Sequence, residues 1–129
     1  MIYFLKSKKT NFLKIGTSTN ISNRVKSLDA ANPMDLKIEA VLQGSFQTES
    51  GLHDLFSHLN RKGEWFKIND EMKYFIRAIR LNPEENNIYT LYRISQRLRI
   101  TDKANRLSKR GNKKLLEKIN KINARHRSQ

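Results

Sequence analysis

The sequence predicts an α+β fold: three short strands set among helices, followed by a basic helical C-terminal appendage. Three observations point there. Two β-rich runs flank a polar turn near the start of the chain. Apolar residues then recur at helical spacing behind capping residues. Beyond Pro83 the composition shifts toward lysine and arginine.

The first run, "IYFLK" (Ile2 to Lys6), and the second, "FLKIGT" (Phe12 to Thr17), enclose the turn "SKKTN" and read as a β-hairpin. Period-two alternation sorts their faces. Ile2 and Phe4 share one face, Tyr3 and Leu5 the other. In the second run Leu13 and Ile15 lie opposite to Phe12, Lys14 and Gly16. If the purely apolar sets pair, Tyr3 and Lys14 project from the same side.

In "TNISNRVKSLDAAN" the residues Ile21, Val25 and Leu28 form a helical stripe, with Asn20 as N-cap and Asn32-Pro33 as stop. "LKIEAVLQG" alternates as a strand. Gly44-Ser45 opens a helix, "SFQTESGLHDLFSHLN", whose buried face is Leu52, Leu55, Phe56 and Leu59. "RKGEWFKI" reads as a turn and a short extended piece. Asn69 or Asp70 caps a helix striped by Met72, Phe75, Ile76 and Ile79. Asn82-Pro83-Glu84-Glu85 has the chemistry of a fresh helix start. Breaks are expected at Thr101-Asp102 and at Gly111-Asn112, with a last stripe of Leu115, Ile119 and Ile122 and fraying at the end.

A chain of 129 residues with this shift near Pro83 suggests a domain over residues 1–80 and a helical tail over 81–129. The formal charge is +14, and it is uneven. Residues 1–82 carry 13 basic and 8 acidic residues; residues 83–129 carry 13 and 4. Such an excess points to a polyanionic partner, most often nucleic acid. There is no cysteine, so disulfides and Cys-type zinc sites are excluded. His53, His58 and His126 lack zinc-ligand spacing. No apolar run exceeds five residues, so a membrane is not an expected partner, nor is secretion; the expected location is the cytoplasm, the nucleoid or the nucleus.

Tyr3, Lys14, Arg24 and Glu49 are the polar residues that stand out. Singly, each has an ordinary explanation: a packed strand tyrosine, a solvated lysine, a surface arginine, a glutamate serving its helix dipole. In order along the chain they resemble the GIY-YIG nuclease superfamily. "IYF" at Ile2 to Phe4 is similar to its first motif, with Met1 where a glycine leads. "KIG" at Lys14 to Gly16 is similar to the second, with lysine for tyrosine. Arg24 in "NRVKSL" and Glu49 in "ESGLHDLFSHLNRKGEWF" complete a pattern similar to a short phage and microbial branch. The resemblance covers roughly residues 1–80. It implies a small three-stranded antiparallel sheet flanked by helices, and an endonuclease hydrolysing DNA to 5′-phosphate and 3′-hydroxyl ends.

It also implies roles. Tyr3 would be general base on water, and Glu49 the ligand of a single magnesium (Mg²⁺) or manganese (Mn²⁺) ion. Arg24 would clamp the scissile phosphate with its planar fork. A free tyrosine titrates near 10, so a neighbouring cation must assist it; Lys14 would do that or orient the water. Gly16, Thr17, Ser18 and His53 are candidate substrate contacts, His53 also as a residue that orders the site. Trp65 and Phe66 read as packing residues. In the tail Arg93, Arg97, Lys109, Arg110, Lys113 and Lys114 are candidate DNA contacts. "RISQRLRITDKANRL" offers a weak helix-turn-helix pattern.

Two rival readings stand beside the nuclease. One is a non-catalytic nucleic-acid-binding module on a degenerate version of the same fold. The other is an adaptor whose tail docks on protein or self-associates. Oligomeric state stays open, since a double-strand break needs either a dimer or two binding events.

Overall fold

The computed structural model describes residues 1–31 and 33–127. The expected stop at Asn32 and the fraying of Ser128 and Gln129 lie outside the described residues. The chain divides into two units, Met1–Gln96 and Arg97–Gln129.

The first unit is built on a five-stranded sheet of order β3-β1-β2-β5-β4, every neighbouring pair antiparallel. Its strands are β1 (Ile2–Ser7), β2 (Phe12–Thr17), β3 (Leu36–Leu42), β4 (Asn60–Lys62) and β5 (Trp65–Lys67). The α+β class therefore holds, but the expected three strands are corrected to five. The added pair lies in "NRKGEWFK". Gly63 at φ +56 closes its turn, and the Asn60 Nδ2 donates to the Gly63 carbonyl at 2.7 Å. Strands of three residues are too short to show a period, so the sequence reads as a turn and a short extended piece rather than as a paired hairpin.

Among the helices, α1 (Ile21–Ala31) is capped as expected: the Asn20 Oδ1 accepts from the Asn23 N–H. Helix α2 (Phe46–Leu55) starts after Ser45, whose N–H donates to the Thr48 hydroxyl. It ends earlier than its apolar stripe suggests, giving way to a 3₁₀ turn at Ser57–Leu59. Helix α3 (Asp70–Leu81) is capped by Asn69, which accepts from the Met72 N–H at 3.0 Å.

Two expectations for the following region are corrected. Asn82 does not open a helix at Pro83. It closes α3, its side-chain amide donating to the Ala78 carbonyl, and α4 (Ile88–Arg127) is opened by Asn87, whose Oδ1 accepts from Tyr89 and Thr90. Helix α4 also runs without a break through Thr101 and Gly111, so no helix-turn-helix forms. One glycine costs a helix about 1 kcal/mol, and the lysine-, arginine- and leucine-rich flanks offset that.

The core lies where α2, α3 and the start of α4 meet the Phe4, Ile15 and Phe66 side of the sheet. Phe75 of α3 is fully buried, edge-on to Phe56 at 5.0 Å and 6.1 Å from Phe4. Its removal leaves a cavity among rings that cannot close up. Phe75→Ala is expected to destabilise the domain by about 3–5 kcal/mol in chemical denaturation; the exposed Leu107→Ala is expected to stay within about 0.5 kcal/mol.

The second unit is helical. Leu107, Leu115, Leu116, Ile119 and Ile122 are all exposed on it. Among the described residues no helix is long and apolar enough to cross a membrane.

Candidate functional site

The site is organised by four consecutive residues of β2: Lys14, Ile15, Gly16 and Thr17. The observed register pairs Tyr3 with Gly16 and Leu5 with Lys14. Directly paired residues share a face, so Tyr3 and Lys14 do project from one side, as alternation predicts.

Gly16 is where a side chain has no room. A Cβ there would lie 2.4 Å from the Tyr3 Oη and 2.5 Å from its Cζ. The tyrosine ring crosses β2 at this point, and Tyr3 as a whole is only 1% exposed. Gly16 thus serves the close approach of a catalytic candidate rather than a turn.

Strand β5 pairs β2 only as far as Lys14. Beyond it the edge of β2 is taken up by the Glu64 carbonyl and by α2. The Ile15 N–H donates to the Glu64 carbonyl at 3.1 Å. The His53 Nε2–H donates to the Ile15 carbonyl at 3.0 Å, and the ring stands edge-on to Phe66 at 4.9 Å. One turn earlier on α2, Glu49 is 6% exposed, and its Oε2 accepts from the Thr17 hydroxyl at 3.0 Å. Its Oε1 lies 3.6 Å from the His53 Nε2. Thus Ile15, Gly16 and Thr17 each hold one partner in turn: His53, Tyr3 and Glu49.

Glu64 is the residue that sequence reading passes over. It sits in the turn before β5, and its carboxylate lies 2.8 Å from the Lys14 Nζ. The same ammonium stands 5.6 Å from the centre of the Trp65 ring. Burial pushes the Glu64 carboxyl up, but the Lys14 hydrogen bond and charge, a hydrogen bond with the Glu49 carboxyl and the His53 charge together hold it below its ordinary value of 4.5. A carboxyl with a lowered folded value stabilises the fold above its unfolded value, and that contribution fades as pH falls through the folded one. The side chain is 40% exposed, so solvent screens the effect. Urea denaturation followed from pH 7 downward is expected to lose stability below about pH 4.5, more weakly in Glu64→Gln; equal slopes would contradict this. The signal was present in "KGEWF": once Gly63 is read as a hairpin turn, the next residue faces Lys14.

The remaining candidates are distributed as follows. Arg24 is exposed on α1, and among the described residues no ion pair or hydrogen bond joins it to Glu49. The Thr17 hydroxyl is engaged by Glu49, and the Ser18 hydroxyl accepts from the Asn20 N–H at the entry to α1. Phe66 is buried, as expected of a packing residue, and Trp65 is half-buried beside Lys14. Arg93, Arg97, Lys109, Arg110, Lys113 and Lys114 all lie on α4, outside the core. No group of three or more His, Cys, Asp or Glu that could hold a metal occurs among the described residues.

The family whose model matches the chain is described as the T5orf172 domain, over residues 1–81. No curated protein and no solved structure matches. The resemblance to the GIY-YIG superfamily is therefore corrected, because the match is to a different nuclease-like family. In this structure "IYF" and "KIG" pair as adjacent strands, and the Tyr3 ring leaves no room for a side chain at Gly16. The T5orf172 domain is associated with nuclease and DNA-binding functions. With residues 1–81 matched, the chain belongs to the T5orf172 domain family.

Proposed function

We propose that the protein is a metal-dependent endonuclease that hydrolyses DNA phosphodiesters at the edge of β2. The observation that carries this reading is the set of short contacts along β2, Lys14 to Glu64, His53 to the Ile15 carbonyl and Thr17 to Glu49, in the strand over which the Tyr3 ring is laid at Gly16. Hydrolysis of a phosphodiester needs an oriented water, a base for its proton, and positive charge for the phosphoryl oxygens.

Tyr3 is the candidate base, its ring steered over Gly16 toward the edge that Glu49 and His53 flank. Lys14, on the same face, steadies the phenolate or holds the attacking water. His53 is a positioning residue: bonded to the Ile15 carbonyl, it fixes α2 and hence Glu49. The Thr17 hydroxyl fixes one oxygen of Glu49, and the other faces the His53 ring at 3.6 Å. Arg24, exposed on α1, is free to meet a phosphate of bound DNA.

The donor set fits a hard divalent cation. Glu49 would hold it, with the Glu64 carboxylate beside it. Mg²⁺ or Mn²⁺ would keep several waters and take one or two carboxylates. When bound, such an ion supplies charge stabilisation to the phosphoryl and leaving oxygens. The test is supercoiled plasmid incubated with the protein and Mg²⁺ or Mn²⁺: nicked circles are expected. Salt-sensitive plasmid binding without nicking under either ion would favour the non-catalytic DNA-binding reading instead.

A further inference from the structure

We infer that the β4–β5 hairpin is a phosphate-binding ribbon that leads DNA to the Tyr3–Lys14 face; the inference rests on the DNA reading above. Register sorts the hairpin's side chains. Lys67 pairs with Phe12, Trp65 with Lys14, and Lys62 with Trp65. All of these therefore share the face of Lys14 and Tyr3. Between Asn60 and Lys62 the register slips by one residue, a β-bulge with Arg61 as the extra residue. A bulge re-aims its side chain, and the Arg61 guanidinium lies 5.7 Å from the centre of the Phe12 ring. Arg61, next to Asn60 on the opposite face, thus lies on the Phe12 face, and the bulge brings Lys62 to that face as well.

Arg61, Lys62 and Lys67 are exposed, and among the described residues none has a carboxylate partner. The opposite edge of the sheet differs. There Lys37 and Arg80 are both paired with Glu39, and nearby Lys8 is paired with Asp35. The acid in the hairpin's own turn, Glu64, is committed to Lys14. The three cations of the opposite edge thus share two carboxylates, whereas the three of the hairpin, beside the candidate site, have none. Charges that merely protect an edge strand from pairing would suffice on β4 alone. They do not account for Lys67 on β5 or for the guanidinium laid over Phe12. An arginine anchored against a ring still presents a planar fork of donors, suited to a phosphate.

The experiment measures binding of a fluorescent DNA duplex across a salt series, using full-length Glu49→Gln protein so that cleavage does not interfere. The comparison adds Arg61→Gln, Lys62→Gln and Lys67→Gln to that protein. Each cation removed from a DNA phosphate is expected to flatten the log–log salt dependence by about 0.9, with affinity falling on the order of tenfold at low salt. An unchanged slope and affinity in the combined variant would overturn the hairpin assignment while leaving DNA binding intact. Failure of the Glu49→Gln parent to bind duplex at any salt would overturn the DNA reading itself. Lys62→Gln alone, at an exposed position, gives the same readout if the triple variant unfolds, with a slope change of about 0.9 expected and no change contradicting the inference.

Discussion

Tyr3→Phe is expected to lower the nicking rate by about 10²–10⁴-fold, the range over which a positioned base acts, while leaving the melting temperature unchanged. Phenylalanine keeps the ring that crosses Gly16 and removes only the hydroxyl. The comparison with Lys14→Met across pH assigns the lysine. If Lys14 steadies the phenolate, Lys14→Met shifts the rising limb of the rate profile to higher pH. If it holds the water or a phosphate, the profile keeps its shape and only its height falls. Full activity in Tyr3→Phe would remove Tyr3 from the chemistry.

Gly16→Ala carries the second large effect, and it acts through Tyr3. The added methyl would stand 2.4 Å from the hydroxyl oxygen, so the ring or the strand must move. Overpacking of this kind costs about 1–3 kcal/mol, readable as a lowered urea midpoint. Cleavage is expected to fall about as far as in Tyr3→Phe, because the hydroxyl leaves its place over β2. The double variant Gly16→Ala with Tyr3→Phe should then cleave no more slowly than the worse single variant, the non-additivity of two changes that disable one group. Additive losses would mean that Gly16 contributes independently, for instance by admitting the substrate backbone.

Much of this was legible in the residues. Alternation in "IYFLK" and "FLKIGT" was enough to put Tyr3 and Lys14 on one face, because a hairpin fixes parity once its apolar sets pair. The caps at Asn20 and Asn69 were readable for the same local reason. What escaped was non-local or short. Strands β4 and β5 are too brief to show a period, so the partnership of Glu64 with Lys14 was hidden with them. Asn82 and Pro83 carry helix-start chemistry, yet the Asn82 amide is drawn back to the Ala78 carbonyl. The GIY-YIG resemblance, drawn from "IYF" and "KIG" together with Arg24, the Glu49 helix and "GEWF", is overturned by the T5orf172 match over residues 1–81.

The account turns on Glu49, buried at the edge of β2 and steered by Thr17 and His53. The most direct measurement is supercoiled plasmid nicking in Mg²⁺ by wild type and Glu49→Gln side by side, at equal duplex occupancy. Glutamine keeps the size of the side chain and a hydrogen bond to Thr17 but removes the charge. Nicking is expected to fall at least about a hundredfold, the scale of losing one transition-state electrostatic group, with DNA binding retained. Equal nicking by both proteins would contradict the account.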